Sequence, residues 1–409
     1  MKNNIQNTSE KVIHTFIENP NRTQEFNNQL VATLHLAKST AEKQIHPDLF
    51  EALPWPLTLN DYIKYLTEYS HWIPQESKSK AWNNEETDEH QEVLDRLNHF
   101  YWLIQQKGES EKKTILENFP WFNLWMVDYA ISWGSFLNTT DSFQEKIAES
   151  FMKYSPSYRV EDSMINGQPN NPSGWLTFNQ FFARELNPGL RPISSPSYNS
   201  VVTCPADCTY RAQYAIAGDS SIPEVKLKLT HKFANIAKLL DGSEYKHAFK
   251  NGTFVHYFLG THSYHRFHTP VAGTVKECYP ILGLVGLDVI IKGKRLDAPD
   301  NAATGYQFTQ ARGVLIIDTK NSPYGNIGLV AILPVGMCQV SSVNMIATVG
   351  SELLKGDEFG YFLFGGSDII VLFQEGTNPQ IDTSDNYRHY GTTMAKCSTL
   401  AIAEKAPIE

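Results

Sequence analysis

Residues Lys355–Phe373 read KGDEFGYFLFGGSDIIVLF. From Phe359 to Phe364 aromatic residues alternate with small ones, and Ile369–Phe373 is a continuous apolar run suited to a buried strand. Gly365-Gly366-Ser367 lies between them, so the stretch predicts two strands meeting at a kink. Consecutive glycines open backbone conformations that other residues avoid. A serine hydroxyl directly after such a pair can approach the carbonyl of the glycine before it, which is the start of an N-to-O acyl shift. Backbone self-cleavage is therefore one reading of Gly366-Ser367. The other is a β-bulge or tight hairpin in which Ser367 satisfies a backbone group.

Outward from this stretch the chain changes character twice. Residues 1–155 carry helical periodicity: in Thr87–Lys107 the residues Val93, Leu94, Leu97, Phe100, Tyr101 and Ile104 share a face, and Asn60–Ile73 stops before Pro74. A third helix is expected from Asp141, boxed by Gln144, towards Tyr154. Pro120–Leu137 is dense in aromatics, which in a helical domain predicts core. Residues 156–199 read as a linker, with a short helix in FNQFFAREL opened by Thr177 and Gln180. From 200 to 409 β-like runs dominate, at Thr253–Leu259, Thr274–Tyr279, Val314–Asp318, Ile327–Leu333 and on both sides of Gly365. Helices followed by strands predict an α+β chain, a helical N-terminal domain and then a β-rich one.

The 409 residues carry a formal net charge of −9 and 41% hydrophobic residues, a balance that argues against a nucleic-acid partner. The polar start MKNNIQNTSEK lacks the apolar core of a signal peptide, and no run approaches the roughly 20 apolar residues that span a bilayer. A cytoplasmic protein with no transmembrane segment is expected; peripheral contact with a membrane stays open. The five cysteines are irregularly spaced, as reduced thiols are, and Cys204 and Cys208 have no second pair with which to hold zinc.

Two further stretches carry chemistry. One is Cys204-Pro-Ala-Asp207; the other, Gly260–Gly273, holds His262, His265 and His268. No acidic or thiol ligand stands near these histidines, so proton transfer is a better reading than a metal site. On a strand, His262 and His268 would share a face and His265 would point the other way. Aspartate, histidine and serine form a triad whatever their order in the chain. The electrophile is then either a substrate ester or amide, making an uncleaved serine hydrolase, or the chain's own Gly366 carbonyl. Nothing matches a G-x-S-x-G elbow, which favours self-processing. HTPVAGTV and TVGSELLKGDEFG also resemble sandwich modules that carry biotin or lipoate, a non-catalytic alternative, but the carrier lysine is missing.

FFARELNPGLRPI (Phe181–Ile193), CPAD (Cys204–Asp207), YHRFHTPVAGTV (Tyr264–Val275), LPVGMCQVSSV (Leu333–Val343) and KGDEFGYFLFGGS (Lys355–Ser367) jointly resemble the phosphatidylserine decarboxylase family, and in that family's order. The helical N-terminal region is similar to that of its soluble branch, which includes fungal tryptophan decarboxylases. The resemblance implies cleavage between Gly366 and Ser367, with Ser367 becoming a pyruvoyl group and the heavy and light fragments staying associated. It implies that Asp207 and His268 support processing and that His265 serves decarboxylation as proton donor. It implies a Schiff base between substrate amine and pyruvoyl ketone, with no metal. Backbone donors near Leu333–Gly336 are candidates to stabilise negative charge. Two residues depart from the family pattern: Cys208 replaces the glycine after PAD, and Asp368 replaces the threonine or serine after Ser367. In a strand Asp368 points away from Ser367; turned inward by the kink, it would attract a cationic substrate group. Without an obvious membrane anchor, a free L-amino acid, an aromatic one such as tryptophan included, is expected ahead of phosphatidylserine.

Overall fold

A computed structural model describes residues 2–108, 113–226, 233–298, 305–338, 342–365 and 367–401. The chain forms two compact units. One comprises Met1–Asn187, Leu284–Pro299 and Met337–Val340; the other comprises Pro188–Gly283, Asp300–Gly336 and Ser341–Glu409.

The first unit is helical. Pro120–Leu137 is a single helix whose Phe122, Trp125, Tyr129, Trp133 and Phe136 are buried, so its aromatics are core. Leu59–Tyr69 begins with a capping box between Thr58 and Asp61. The other expected starts shift. The helix sought from Thr87 begins at Glu92, because Thr87 sits in a hairpin turn completed by Asp88 at φ 55°. The box between Asp141 and Gln144 does not form: Gln144 is extended and caps nothing, and the helix is Glu145–Tyr154. Residues expected as linker after Tyr154 hold two short 3-10 turns and a hairpin pairing Met164–Ile165 with Gln168–Pro169. Thr177 does cap Phe178–Phe182, although that helix ends five residues in. No helix among the described residues is long and apolar enough to cross a membrane.

Glu92–Gln105 lacks a cap of its own, since the Gln91 side chain accepts from none of its first N–H groups and donates instead to Asp95 Oδ1 at 2.9 Å. Glu76 supplies one from a distance, its carboxylate accepting from the N–H groups of Glu92 at 2.7 Å and Val93 at 3.3 Å. Burial pushes Glu76 up to about 8, outweighing those two donors and reinforced by the charges of Glu92 and Asp95. Its folded pKa thus lies above the unfolded value, so the stability it adds is complete below about pH 4.5 and is lost as pH rises through about 8. Glu76→Gln, which keeps an acceptor but no charge, is expected to gain on wild type by ~4 kcal/mol between pH 5 and pH 9. Thermal melts at the two pH values check this. Glu76→Ala, which removes the acceptor, is expected to cost about 1–2 kcal/mol at pH 5.

The second unit is built on an antiparallel sheet. Its eight described strands run in the order Glu352–Leu353, Gly273–Ile281, Arg312–Asp318, Leu329–Gly336, Ser367–Phe373, Thr253–Leu259, Cys208–Ala215 and Tyr387–Arg388. Ser367–Phe373 lies inside it, buried at every position, as its unbroken apolar run predicts. Alternation splits this strand between two cores. Ile369, Val371 and Phe373 pack with Tyr257 and Leu259 on one face; Ile370 and Leu372 pack with Phe254 and Phe308 on the other. Glu358–Phe362 belongs to a separate three-stranded sheet with Arg266–His268 and Val343–Met345. The chain therefore changes sheets at Gly365, whose φ of 147° is a region open to glycine alone.

Candidate active site

Ser367 is the first residue of the inner strand, facing Gly336 on one side and Leu259 on the other. Gly366, the other half of the expected cleavage site, lies outside the described residues. The Ser367 hydroxyl is fully buried, with Oγ 3.3 Å from Nδ1 of His265. His265 Nε2 lies 3.2 Å from the carbonyl oxygen of Thr261. A carbonyl only accepts, so Nε2 carries the ring proton and Nδ1 offers its lone pair to the serine O–H. The pair is thus a serine with a base whose tautomer is fixed by backbone.

Asp207 and His268 form an adjoining cluster. Arg191 donates to Asp207 from Nε at 3.2 Å and Nη2 at 2.7 Å, His389 Nδ1 bonds it at 2.9 Å, and the Tyr390 N–H donates at 2.8 Å. Burial raises the Asp207 carboxyl, but the bonds from His389 and Arg191, the guanidinium charge and the Tyr390 N–H outweigh it and hold it below the usual range. His268 donates from Nδ1 to the Gly356 carbonyl at 2.9 Å, and its Nε2 meets the Tyr264 hydroxyl at 3.2 Å. Burial pulls His268 down to about 4 against that carbonyl bond and the charge of Asp207, so the ring is neutral at neutral pH.

The three expected triad members are therefore not one chain of hydrogen bonds. The imidazole at Ser367 is His265, and the imidazole at Asp207 is His389. Nor do the clustered histidines share a strand as their spacing suggested: only Arg266–His268 forms a strand, His262 lies in the turn before it and His265 in the irregular residues that lead into it. His262 packs near Tyr387 instead. Lys355, the first residue of KGDEFGYFLFGGS, is buried and donates to the carbonyls of Ser195, Tyr198 and Val201, each at 2.7 Å, fixing the loop that follows Arg191.

Asp368 points away from Ser367, as strand alternation predicts, and the alternative of an inward turn at the kink is not met. It is fully buried on the opposite face, accepts from the Tyr306 hydroxyl at 2.6 Å and lies 3.4 Å from His256 Nε2, so it is not placed to meet a substrate beside Ser367. Cys208 starts a strand, buried, and shares a hydrogen bond with Cys204; all five cysteines are free thiols. The backbone at Leu333–Gly336 is taken up in the sheet, and the Gly336 N–H donates to the Ala311 carbonyl at 2.8 Å. His389, Tyr390 and Thr261 were missed. The first two lie 182 and 183 residues from Asp207, a pairing that only the fold creates. Arg191 stood within FFARELNPGLRPI without a partner to suggest its role.

Residues 178–396 match the family model described as phosphatidylserine decarboxylase. Phosphatidylserine decarboxylase proenzyme 2 of Oryza sativa subsp. japonica is 33% identical over 202 residues, 49% of this chain but 29% of the rice protein. Decarboxylase iboD of Amanita muscaria (strain Koide BX008) is 28% identical over 281 residues, 62% of this chain and 77% of the fungal protein. Phosphatidylserine decarboxylase proenzyme of Chlamydia trachomatis serovar L2 is 30% identical over 202 residues, with 49% of this chain and 60% of that protein covered.

Proposed function

The chain belongs to the phosphatidylserine decarboxylase family, and we propose that it is a proenzyme that cleaves itself between Gly366 and Ser367 to become a carboxy-lyase acting on a free L-amino acid. The observation that carries this reading is the buried Ser367 Oγ on the lone pair of His265 Nδ1, one glycine pair downstream of the change of sheet. As Oγ attacks the Gly366 carbonyl carbon, its proton passes to His265. The C–N bond breaks, nitrogen takes a proton, and an ester remains on Oγ. Loss of the Ser367 Cα proton with cleavage of the Cβ–Oγ bond frees the Gly366 carboxylate and leaves dehydroalanine. Water then displaces ammonia, leaving a pyruvoyl ketone at position 367.

The surroundings fit such a group. Position 367 heads a strand buried along its length, and the amide that follows belongs to residues paired on both sides, with Val335 and Phe258. The pyruvoyl group supplies a ketone for a substrate amine and a neighbouring amide carbonyl to accept the electrons left by CO2. His265 is placed to hold or deliver a proton beside position 367 once Oγ has gone. Arg191 and His389 keep Asp207 ionised in the adjoining cluster.

A substrate other than the phospholipid is supported by decarboxylase iboD of Amanita muscaria, whose name carries no phosphatidylserine and of which this chain spans 77%, against 29% of the rice phosphatidylserine decarboxylase. The names of the rice and Chlamydia relatives support the second reading, phosphatidylserine. Purified protein, without detergent, is expected to release CO2 from at least one of the free L-amino acids, tryptophan being the first to try. CO2 from phosphatidylserine vesicles alone would carry the second reading instead.

A further inference from the structure

Tyr390 joins the two groups that the family resemblance assigns to processing. Its N–H donates to Asp207 Oδ1 at 2.8 Å, and its ring lies flat on His268, with centroids 3.8 Å apart and planes 4° from parallel. Next to it, His389 bonds the other carboxylate oxygen of Asp207 at 2.9 Å. The segment is built in at both ends. Tyr387–Arg388 pairs with Cys208 and Thr209 at the edge of the large sheet. Gly391, at φ 82°, is pressed so close to the segment after Arg191 that a Cβ there would lie 2.8 Å from Ile193 Cδ1 and 3.0 Å from the Pro192 carbonyl. Its N–H donates to the Cys204 carbonyl at 3.0 Å, and its own carbonyl accepts from the Ser194 N–H at 2.8 Å.

Resting on the self-processing reading, we propose that Tyr390, assisted by His389, is a positioning residue for cleavage, and that Tyr387–Gly391 is a clasp that completes the processing centre only after the C-terminal segment has docked. Tyr264 and Gly356 hold His268 through its two nitrogens, which leaves the tilt of the ring to be set by what lies on its face. Tyr390 covers that face, and flat stacking of this kind fixes a ring plane as well as a position. A displacement of about 1 Å at such a centre costs about 10²-fold in rate. Because a chain is made from its N-terminus, Ser367 is synthesised before Tyr387–Gly391. The clasp therefore ties cleavage to a light fragment long enough to remain bound, since the same residues that set Asp207 and His268 also anchor that fragment to Cys208–Thr209 and to Pro192–Ile193.

The test follows the cleaved fraction against time, by intact mass, in full-length chains carrying Tyr390→Phe, Tyr390→Met or Tyr390→Leu. The ring protons of His268 are followed by NMR for the same substitutions in an uncleavable Ser367→Ala background. Tyr390→Phe keeps the flat ring and the N–H and is expected to cleave within about twofold of wild type, whereas Met and Leu, which keep only the N–H, slow cleavage at least ~10-fold. The His268 ring protons move downfield in the Met and Leu chains, as the ring current over them is lost, and stay in place with Phe. A merely structural role for Tyr390 would lower the melting temperature of all three without separating Phe from Met. Should the Leu chain fail to fold, the Met chain, whose unbranched side chain adapts to the space, decides. Wild-type cleavage rates in the Met chain overturn the clasp while leaving self-processing intact. A wild-type chain that stays uncut overturns self-processing and the clasp with it.

Discussion

Ser367→Ala is expected to leave one uncut chain with no decarboxylase activity. The substitution removes the only oxygen that can take over the Gly366 acyl group and, with it, the source of the ketone. Activity therefore falls to background, a loss of more than about 10⁶, the low end of typical enzyme rate enhancements. The fold should persist. Ser367 contributes one hydroxyl bonded to His265 within a strand whose other six residues are buried, and losing one such bond costs about 1 kcal/mol. A denaturing gel, a CO2 assay and a thermal melt separate the outcomes: an unchanged melt with no cleavage and no activity is predicted, and activity in the uncut alanine chain would rule out a group made from Ser367.

His265→Ala comes second in size. It removes the base whose Nδ1 faces Ser367 Oγ and whose Nε2–H is held by Thr261. General-base assistance is worth about 10²–10⁴-fold, so cleavage is expected to slow by that factor and to recover in part when imidazole is added. The family resemblance placed processing on Asp207 and His268 and decarboxylation on His265. The hydrogen bonds reorder that expectation for cleavage: His265→Ala should impair it more than His268→Ala, because His268 spends both nitrogens on Tyr264 and Gly356. Time courses of cleavage for the two variants, read by gel, check the order. Faster cleavage in the His265→Ala chain than in the His268→Ala chain would return the base role to His268.

Much of the fold could be read from local pattern. Alternation in Phe359–Phe364 and the apolar run Ile369–Phe373 marked two strands, because period-two burial and fully buried strands leave strong compositional traces. The aromatic helix Pro120–Leu137 was legible for the same kind of reason. Helix starts were not, where the cap comes from elsewhere: Glu76 serves Glu92–Gln105 from outside the segment, and no local window contains both. Ser367 and its neighbouring glycines were conspicuous in sequence. The partners of Asp207 were not, since Arg191 and the pair His389-Tyr390 converge on it from two distant stretches through sheet pairing and loop packing. Asp368 shows the limit most clearly. Alternation placed it opposite Ser367, but only the fold shows that the opposite side is a buried layer holding Tyr306 and His256 rather than solvent.

The most direct test of self-processing is the intact mass of the purified wild-type protein under denaturing conditions. Self-processing gives two polypeptides, residues 1–366 and 367–409, the lighter one carrying a pyruvoyl group in place of an N-terminal serine and therefore lacking its ammonia. One chain at the full 46.3 kDa, with Ser367 unchanged, would contradict it.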